Sequence, residues 1–395
     1  MHVRDNIWKF GIYSAIDHIR LIWMISTLYL LWLGFNFTNI GIHETIFAIV
    51  IVLLELPTGA LADLIGRKKA VMTSCILNGT GFVAIGFMNL PMHYYMIALI
   101  MGIAFSFISG ADVALLYDSI KRIGKRKQYK KIRGKINTYN TIASIIGVFL
   151  GPYLFTINPR LGFIVTGAVY IAAAIVVSTM VEPYKWHKKL NLKNHWNQTI
   201  KGLKYTLKNK QIMWLIGFFF LSSIGVEFFF DFWQQPLLVS AGLDVKFFGI
   251  LFAGMMGVRA LISWYTHKIE NKLKEKASLT FILVSHVILY IVFSVAGFTA
   301  LIIAFAIFYG VIAFQEIVFE DYLNSHIKSQ SRATVLSVKS LVYNLIGAGL
   351  YVSIGKLIDL YSINSVLMGA AATIMIGSMI LFSLKKFNVN ANLID

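Results

Sequence analysis

Apolar segments long enough to cross a lipid bilayer recur along the whole chain. A helix crosses the bilayer core with about 20 predominantly apolar residues. Twelve such segments are found, near residues 9–33, 43–63, 70–90, 93–118, 136–157, 161–181, 212–239, 246–266, 277–297, 299–323, 334–355 and 363–384. Because unpaired backbone polar groups are costly in lipid, each segment is predicted to be helical. The sequence therefore predicts an all-α polytopic membrane protein with twelve transmembrane helices.

The 36 Lys and Arg residues are unevenly distributed among the loops. Thirty of them fall on one predicted side of the membrane, three on the other side (Arg160, Lys246, Lys356) and three inside segments (Arg20, Arg259, Lys339). Loops rich in Lys and Arg remain in the cytoplasm, so both termini are predicted to be cytoplasmic. This topology accounts for the net charge of +18. Nucleic-acid binding is disfavoured, because the loops lack aromatic residues in series for stacking.

Weak internal similarity relates the two halves of the chain at a shift of about 200 residues, which equals six segments. We therefore predict two six-helix bundles, at 1–182 and 211–395. A polar linker, 183–210, separates them, and its apolar residues recur at helical spacing beside clustered lysines. This pattern predicts an amphipathic helix on the membrane surface. We interpret the linker as a tether between the bundles, with a regulatory site as the alternative.

A turn with glycines and charged residues separates the second and third segments. It reads Gly59-Ala-Leu-Ala-Asp63-Leu-Ile-Gly66-Arg67-Lys68. This pattern resembles the signature between helices 2 and 3 of the major facilitator superfamily of secondary transporters, and weaker similarities extend over the whole chain. The resemblance implies transport by alternating access. It also implies a gate on the cytoplasmic side, in which Asp63 faces the start of helix 11 near Ala333 and Arg67 pairs with Asp118.

Two glycines and a proline mark the fifth segment, in Gly147-Val-Phe-Leu-Gly151-Pro152. Glycines four residues apart present one small helix face, so a neighbouring helix is expected to approach closely there. Pro152 removes a backbone donor and is expected to bend the helix. The pattern is similar to a motif of proton-coupled drug antiporters, although Tyr153 stands where that motif has a glycine pair. Close helix packing alone is the alternative interpretation.

Ionisable residues inside the segments are candidate sites, because a charge at the bilayer centre costs about 2.5–3.5 kcal/mol by insertion scales. The candidates for a proton or substrate cavity are Asp17, Arg20, Asp112, Glu227, Asp231, Arg259 and Glu316. Asp17 and Arg20 are three residues apart and could form a structural pair. Glu227 and Asp231 are four apart, and neighbouring carboxylates raise each other's proton affinity. This acidic pair is our first choice for a proton site and Asp17 the second; a salt bridge to Arg259 is the alternative.

Acidic residues outnumber basic ones among the deeper interior positions, and aromatic residues accompany them: Tyr13, Trp23, Phe229, Phe230 and Trp233. Such a lining favours a lipophilic cation, although each ring could instead pack between helices. The leading hypothesis is proton-coupled efflux of small amphiphilic or cationic compounds by a monomer in a bacterial cytoplasmic membrane. Uptake of a nutrient such as a sugar or organic ion is the alternative. We expect no enzymatic activity, cofactor or metal, because the sequence carries no phosphate-loop or His-Glu-x-x-His motif.

Overall fold

The computed structural model describes residues 2–184, 203–204, 206–325, 327 and 332–383. For residues 55–64, 332–334 and 337 it describes the backbone alone. Every regular element in these ranges is helical. The amphipathic helix predicted in the linker 183–210 lies largely outside the described residues, so it remains a prediction.

The chain forms two compact units. Unit 1 comprises Met1–Phe35, Ile42–His195 and Val245–Gly249, and unit 2 comprises Asn36–Gly41, Trp196–Asp244 and Ile250–Asp395. The first eight helices are α1 (Asn6–Asp17), α2 (Ser26–Trp32), α3 (Phe37–Ile65), α4 (Arg67–Phe87), α5 (Pro91–Ile108), α6 (Ala111–Arg122), α7 (Tyr129–Ile157) and α8 (Leu161–Ser178). All lie in unit 1 except the first residues of α3, which belong to unit 2.

Unit 2 contains the remaining helices, apart from the first residues of α11. They are α9 (Lys210–Phe228), α10 (Gln234–Ser240), α11 (Phe248–Val295), α12 (Phe298–Ser325), α13 (Arg332–Leu360) and α14 (Ile363–Ser383). A π-helical turn, Phe229–Trp233, joins α9 to α10. Such turns are uncommon and often lie beside functional sites.

Ten stretches of the described helices are long and apolar enough to cross a membrane. One of them, Val245–Val295, has 51 residues. At 1.5 Å per residue it measures about 76 Å, enough for two crossings of a ~30 Å bilayer core. Its helix is interrupted at Lys274, where φ is 60°. With α1 and α2 as a further crossing, the structure agrees with the predicted twelve-helix fold.

The first predicted segment, 9–33, is not one continuous helix. α1 ends at Asp17 and α2 begins only at Ser26. Arg20, between them, has a φ of 43°, which a non-glycine residue rarely adopts. The imidazole Nδ1 of His18 lies 2.8 Å from the carbonyl oxygen of Ser14 and engages the last turn of α1. The predicted first segment is therefore made of two helices, α1 and α2, with a break between them.

Helix α7 packs directly against this break. The Ser144 hydroxyl donates a hydrogen bond of 3.0 Å to the carbonyl oxygen of His18. Further along α7, a Cβ atom on Gly147 would overlap the carbonyl oxygen of Ile19, and one on Gly151 would overlap that of Leu21. The small face of α7 thus lies against the backbone of the break between α1 and α2, and not against side chains. The helix continues through Pro152 to Ile157.

The fourth predicted segment, 93–118, is also interrupted. α5 ends at Ile108 and α6 begins at Ala111, with Gly110 between them at a φ of 76°. Glycine adopts this left-handed conformation without steric cost. Asp112 consequently lies in the first turn of α6, where the helix dipole and free N–H groups favour a carboxylate. The break therefore places Asp112 where backbone N–H groups offset part of the cost of burying its carboxylate.

Candidate functional site

A cavity of about 560 Å³ lies among α9, the π-helical turn, α12 and α13 of unit 2. This volume falls within the range of about 300–1,000 Å³ typical of small-molecule sites. Its polar wall consists of Ser223, Glu227, Gln315, Glu316, Glu320, Asn324 and Lys339, and its aromatic wall of Phe219, Phe230, Phe319 and Tyr343. We call this space the unit 2 cavity. It combines carboxylates, one ammonium group and ring faces.

Hydrogen bonds fix part of the polar wall. The Gln315 amide Nε2 donates to the Ser223 hydroxyl at 2.8 Å. The Tyr343 hydroxyl lies 3.2 Å from the Ser223 carbonyl oxygen and also interacts with the Glu227 carboxylate. Gln315 is only 4% exposed, and its Oε1 atom has no partner among the described residues. The Gln315 side chain thus holds one buried acceptor without a partner in the described part of the chain.

The two acids of the predicted pair both lie within electrostatic range of Tyr343, and each has a tyrosine as a hydrogen-bond partner. Glu227 lines the unit 2 cavity, at the end of α9. Asp231 lies in the π-helical turn and accepts a hydrogen bond of 2.9 Å from the Tyr351 hydroxyl. Arg259, which we considered as a partner for this pair, forms an ion pair with Glu316 at 2.5 Å. Four-residue spacing alone could not reveal these separate partners, because the π-helical turn begins between the two acids.

A second group of candidates lies near the break of unit 1. Asp17 accepts a hydrogen bond of 2.8 Å from the Tyr170 hydroxyl. Arg20 does not share a helix face with Asp17, because α1 ends at Asp17, and its guanidinium lies 5.3 Å from the Trp23 ring centroid. Asp112 lies within electrostatic range of Asp17. The two helix breaks thus bring two acids into one neighbourhood.

The aromatic residues expected beside these acids have different environments. Phe230 lines the unit 2 cavity. Tyr13, Phe229 and Trp233 are at most 1% exposed and are packed inside their units. For these three rings the structure favours the alternative of packing between helices over a cavity lining.

The turn between α3 and α4 forms a charged cluster, which we call the Arg67 cluster. The Arg67 guanidinium forms the expected ion pair with Asp118. The backbone N–H groups of Arg67 and Lys68 donate to the Glu182 carboxylate at 3.3 and 2.9 Å. Gly66 precedes them with a φ of 97°, which favours glycine. Glu182 therefore caps the start of α4.

For three residues of the predicted gate, the structure describes no side chain. Gly59 and Asp63 lie in α3, and Ala333 lies in α13, but the structure describes only the backbone there. The contact of Asp63 with the start of helix 11 remains a prediction. Sequence reasoning missed Glu182. Its position just beyond an apolar segment does not indicate that it binds the backbone of Lys68, which lies 114 residues earlier.

The pKa of Glu182 gives a pH prediction. Burial raises the pKa of this carboxyl above its ordinary value of 4.5, while the N–H groups of Lys68 and Arg67 oppose the shift. Ionisation then costs more in the folded protein than in the unfolded chain, so the contribution to stability is present below the unfolded pKa and is lost as pH rises through the folded pKa. As pH rises from about 4.5, the wild-type melting temperature in detergent should therefore fall more than that of Glu182→Gln. Equal pH dependence of the two proteins would contradict this assignment.

Ten stretches in the described ranges that are long and apolar enough to cross a membrane define the chain as a polytopic membrane protein. Its interior carboxylates are the kind of residue that marks a substrate or ion pathway in such proteins. Residues 19–351 match the model of the Major Facilitator Superfamily, and the chain belongs to this superfamily. Membership of this superfamily agrees with our expectation of a secondary transporter rather than an enzyme.

Two sequence relatives carry similar descriptions. The chain is 22% identical over 256 residues to the uncharacterized MFS-type transporter YxaM of Bacillus subtilis strain 168, a region covering 64% of this chain and 63% of that protein. It is 23% identical over 220 residues to the uncharacterized MFS-type transporter MJ1560 of Methanocaldococcus jannaschii, covering 55% and 52%. The matched regions thus span less than two thirds of each relative.

Solved structures share the fold over nearly the whole chain. The nucleoside transporter NupG superposes with a TM-score of 0.79 at 14% identity, covering 98% of this chain and 100% of that one. A bacterial homolog of the human lysosomal transporter Spinster, in an inward-facing and unoccupied conformation, gives a TM-score of 0.70 at 16% identity, with 96% of each chain covered. At these identities the similarity establishes the fold alone.

Proposed function

We propose that the protein exports small amphiphilic cations in exchange for protons by alternating access. The observation that carries the proposal is the lining of the unit 2 cavity, where Glu227, Glu316 and Glu320 lie beside aromatic rings. Carboxylates attract a cation electrostatically, and ring faces add cation–π attraction and apolar surface for the rest of the molecule.

The charge balance of the cavity supports a singly charged substrate. Glu316 is neutralised by its ion pair with Arg259. The remaining charged groups of the lining are Glu227, Glu320 and Lys339, which sum to one negative charge when all are ionised. One bound organic cation would neutralise this charge. A bilayer interior penalises net charge strongly, so neutrality favours the loaded state.

Exchange follows if proton and cation compete for the same carboxylate. Glu227 is our first choice, because it lines the cavity and interacts with the Tyr343 hydroxyl. Its ionised form attracts the cation, and its protonation on the other side of the membrane would release it. Asp231, bonded to Tyr351, is the second member of the pair. Asp17, bonded to Tyr170, remains the alternative site.

The loop charges support an orientation for this exchange. Thirty of the 36 Lys and Arg residues fall on one predicted side of the membrane, and this asymmetry supports a cytoplasmic location for both termini. The protein would then act in a bacterial cytoplasmic membrane, as a monomer whose partners are protons, the substrate and lipid.

Efflux measurements test the function. Cells or proteoliposomes loaded with ethidium or tetraphenylphosphonium should show efflux that depends on pH, and Glu227→Gln combined with Asp231→Asn should reduce it by at least about tenfold. Asp321→Asn is the matched control, because this acid is exposed on the same helix as Glu316. Efflux that is indifferent to pH, or full activity of the double variant, would contradict the proton assignment. Inward accumulation of a nutrient in place of cation efflux would favour uptake.

A further inference from the structure

The ammonium group of Lys339 occupies the aromatic part of the unit 2 cavity. Its Nζ atom lies 4.1 Å from the ring centroid of Phe219 and 5.4 Å from that of Phe319. The two rings are themselves 4.5 Å apart between centroids. At such distances an aromatic face attracts a cation. Residues of α9, α12 and α13 therefore meet at one cation, which is the protein's own lysine ammonium.

This position is unusual for a lysine in a membrane-spanning helix. Such lysines generally extend their flexible stem so that the ammonium reaches the polar interface. Lys339 instead holds a half-buried ammonium against Phe219 and Phe319, with Glu320 close enough to interact electrostatically. An ammonium gives up part of its hydration there, and the rings and one carboxylate replace it. Ring faces and a carboxylate are also the groups that attract a bound organic cation.

We propose that Lys339 is a built-in competitor of the transported cation. Its ammonium fills a subsite formed by Phe219, Phe319 and Glu320. The substrate binds there only after the ammonium withdraws from the two ring faces, while the lysine stays within the cavity and its charge balance is kept. The inference rests on the proposed function, because it requires a cationic substrate. Among cationic substrates it favours ammonium compounds with a compact charged head and an apolar tail, since such a head replaces a lysine ammonium at the ring faces most closely.

Competition of this kind has a consequence for the transport cycle. The affinity of the protein for its substrate is lower than that of an empty subsite, because the substrate must displace the lysine ammonium. Release is correspondingly easier, because the returning lysine restores the contacts that the substrate leaves. Removing the ammonium should therefore tighten binding and slow turnover, which is the opposite of what loss of a substrate-binding residue does.

Calorimetric titration of the purified full-length protein in detergent with hexyltrimethylammonium tests the inference. Lys339→Met should lower Kd by about tenfold or more, because the subsite becomes vacant. Lys339→Arg should stay within about threefold of wild type, because a guanidinium also occupies ring faces. Lys356→Met is the matched control, since Lys356 is exposed on the same helix, and its Kd should not change. Lys339→Gln replaces Lys339→Met if the latter does not fold, judged by its melting temperature.

A double variant separates the subsite from a general effect of charge. Adding Phe219→Leu to Lys339→Met should return Kd towards the wild-type value, because one ring face is lost. If the gain persists without that ring, the subsite assignment is overturned.

The remaining outcomes distinguish this inference from the proposed function. Wild-type binding with equal or weaker binding by Lys339→Met overturns the inference and leaves cation export standing. Binding by the variant alone supports the inference and overturns export by the wild-type protein. Absence of binding by both proteins overturns both.

Discussion

Gly147→Ala is expected to abolish transport, although it adds only one methyl group. The added Cβ would overlap the carbonyl oxygen of Ile19, in the break between α1 and α2. A side chain can rotate away from a new neighbour, but a backbone carbonyl moves only with its chain. Overpacking of a side-chain core costs about 1–3 kcal/mol, and this contact is more rigid. We expect either no measurable transport or at least about a tenfold lower yield of folded protein.

Gly134→Ala supplies the control on the same helix. A Cβ at Gly134 meets no atom within 4 Å, and alanine favours a helix over glycine by about 1 kcal/mol. This variant should retain transport and melt at the same temperature or higher. Gly151→Leu should behave like Gly147→Ala, because Gly151 lies against the carbonyl oxygen of Leu21. If Gly147→Ala and Gly151→Leu both turn over normally, the backbone between α1 and α2 can move aside at little cost, which contradicts this prediction.

Arg67→Ala should produce the second large effect. In the ion pair the Arg67 side chain is 19% exposed and that of Asp118 is 10% exposed. Removing one partner of a largely buried pair leaves an uncompensated charge, at a cost of about 3–5 kcal/mol. We expect transport to fall by at least about a hundredfold, or the melting temperature in detergent to fall by several degrees.

Two further variants check the cause of this loss. Lys69→Ala, in the same turn, changes an exposed lysine and should leave rate and melting temperature unchanged. Arg67→Met combined with Asp118→Leu removes both charges and should recover stability relative to Arg67→Ala, because no buried charge remains unpaired. A double variant as unstable as the single one would indicate that Arg67 acts through contacts other than Asp118.

Sequence reasoning succeeded where the signal is local or shared by a family. The length of the apolar segments sufficed for the twelve-helix fold, and the resemblance at Gly66 and Arg67 pointed to Asp118 as the partner of Arg67. It failed where the local structure depends on residues that are distant in the sequence. Residues 18–25 keep an apolar pattern, and the helix breaks there against Gly147 and Gly151 of a later helix.

In the candidate site, too, sequence reasoning identified single residues but not the contacts between distant ones. Glu227, Glu316, Arg259 and Lys339 were identifiable, since ionisable residues in apolar segments are rare. Their partners were not, because the Arg259–Glu316 ion pair joins residues 57 positions apart. The placement of Lys339 between two rings likewise depends on three helices that no local pattern connects.

The π-helical turn Phe229–Trp233 constrains the length of this region as well as its composition. A π-turn contains one residue more than the equivalent α-helical stretch, so α10 is rotated by about 100° from the direction that an uninterrupted helix would give it. With this rotation the Gln234 amide donates to the Tyr309 hydroxyl at 2.6 Å. Deleting any one residue of the turn would restore α-helical phase and carry Gln234 away from Tyr309. Descendants of this chain can therefore exchange residues within the turn more readily than they can lose one.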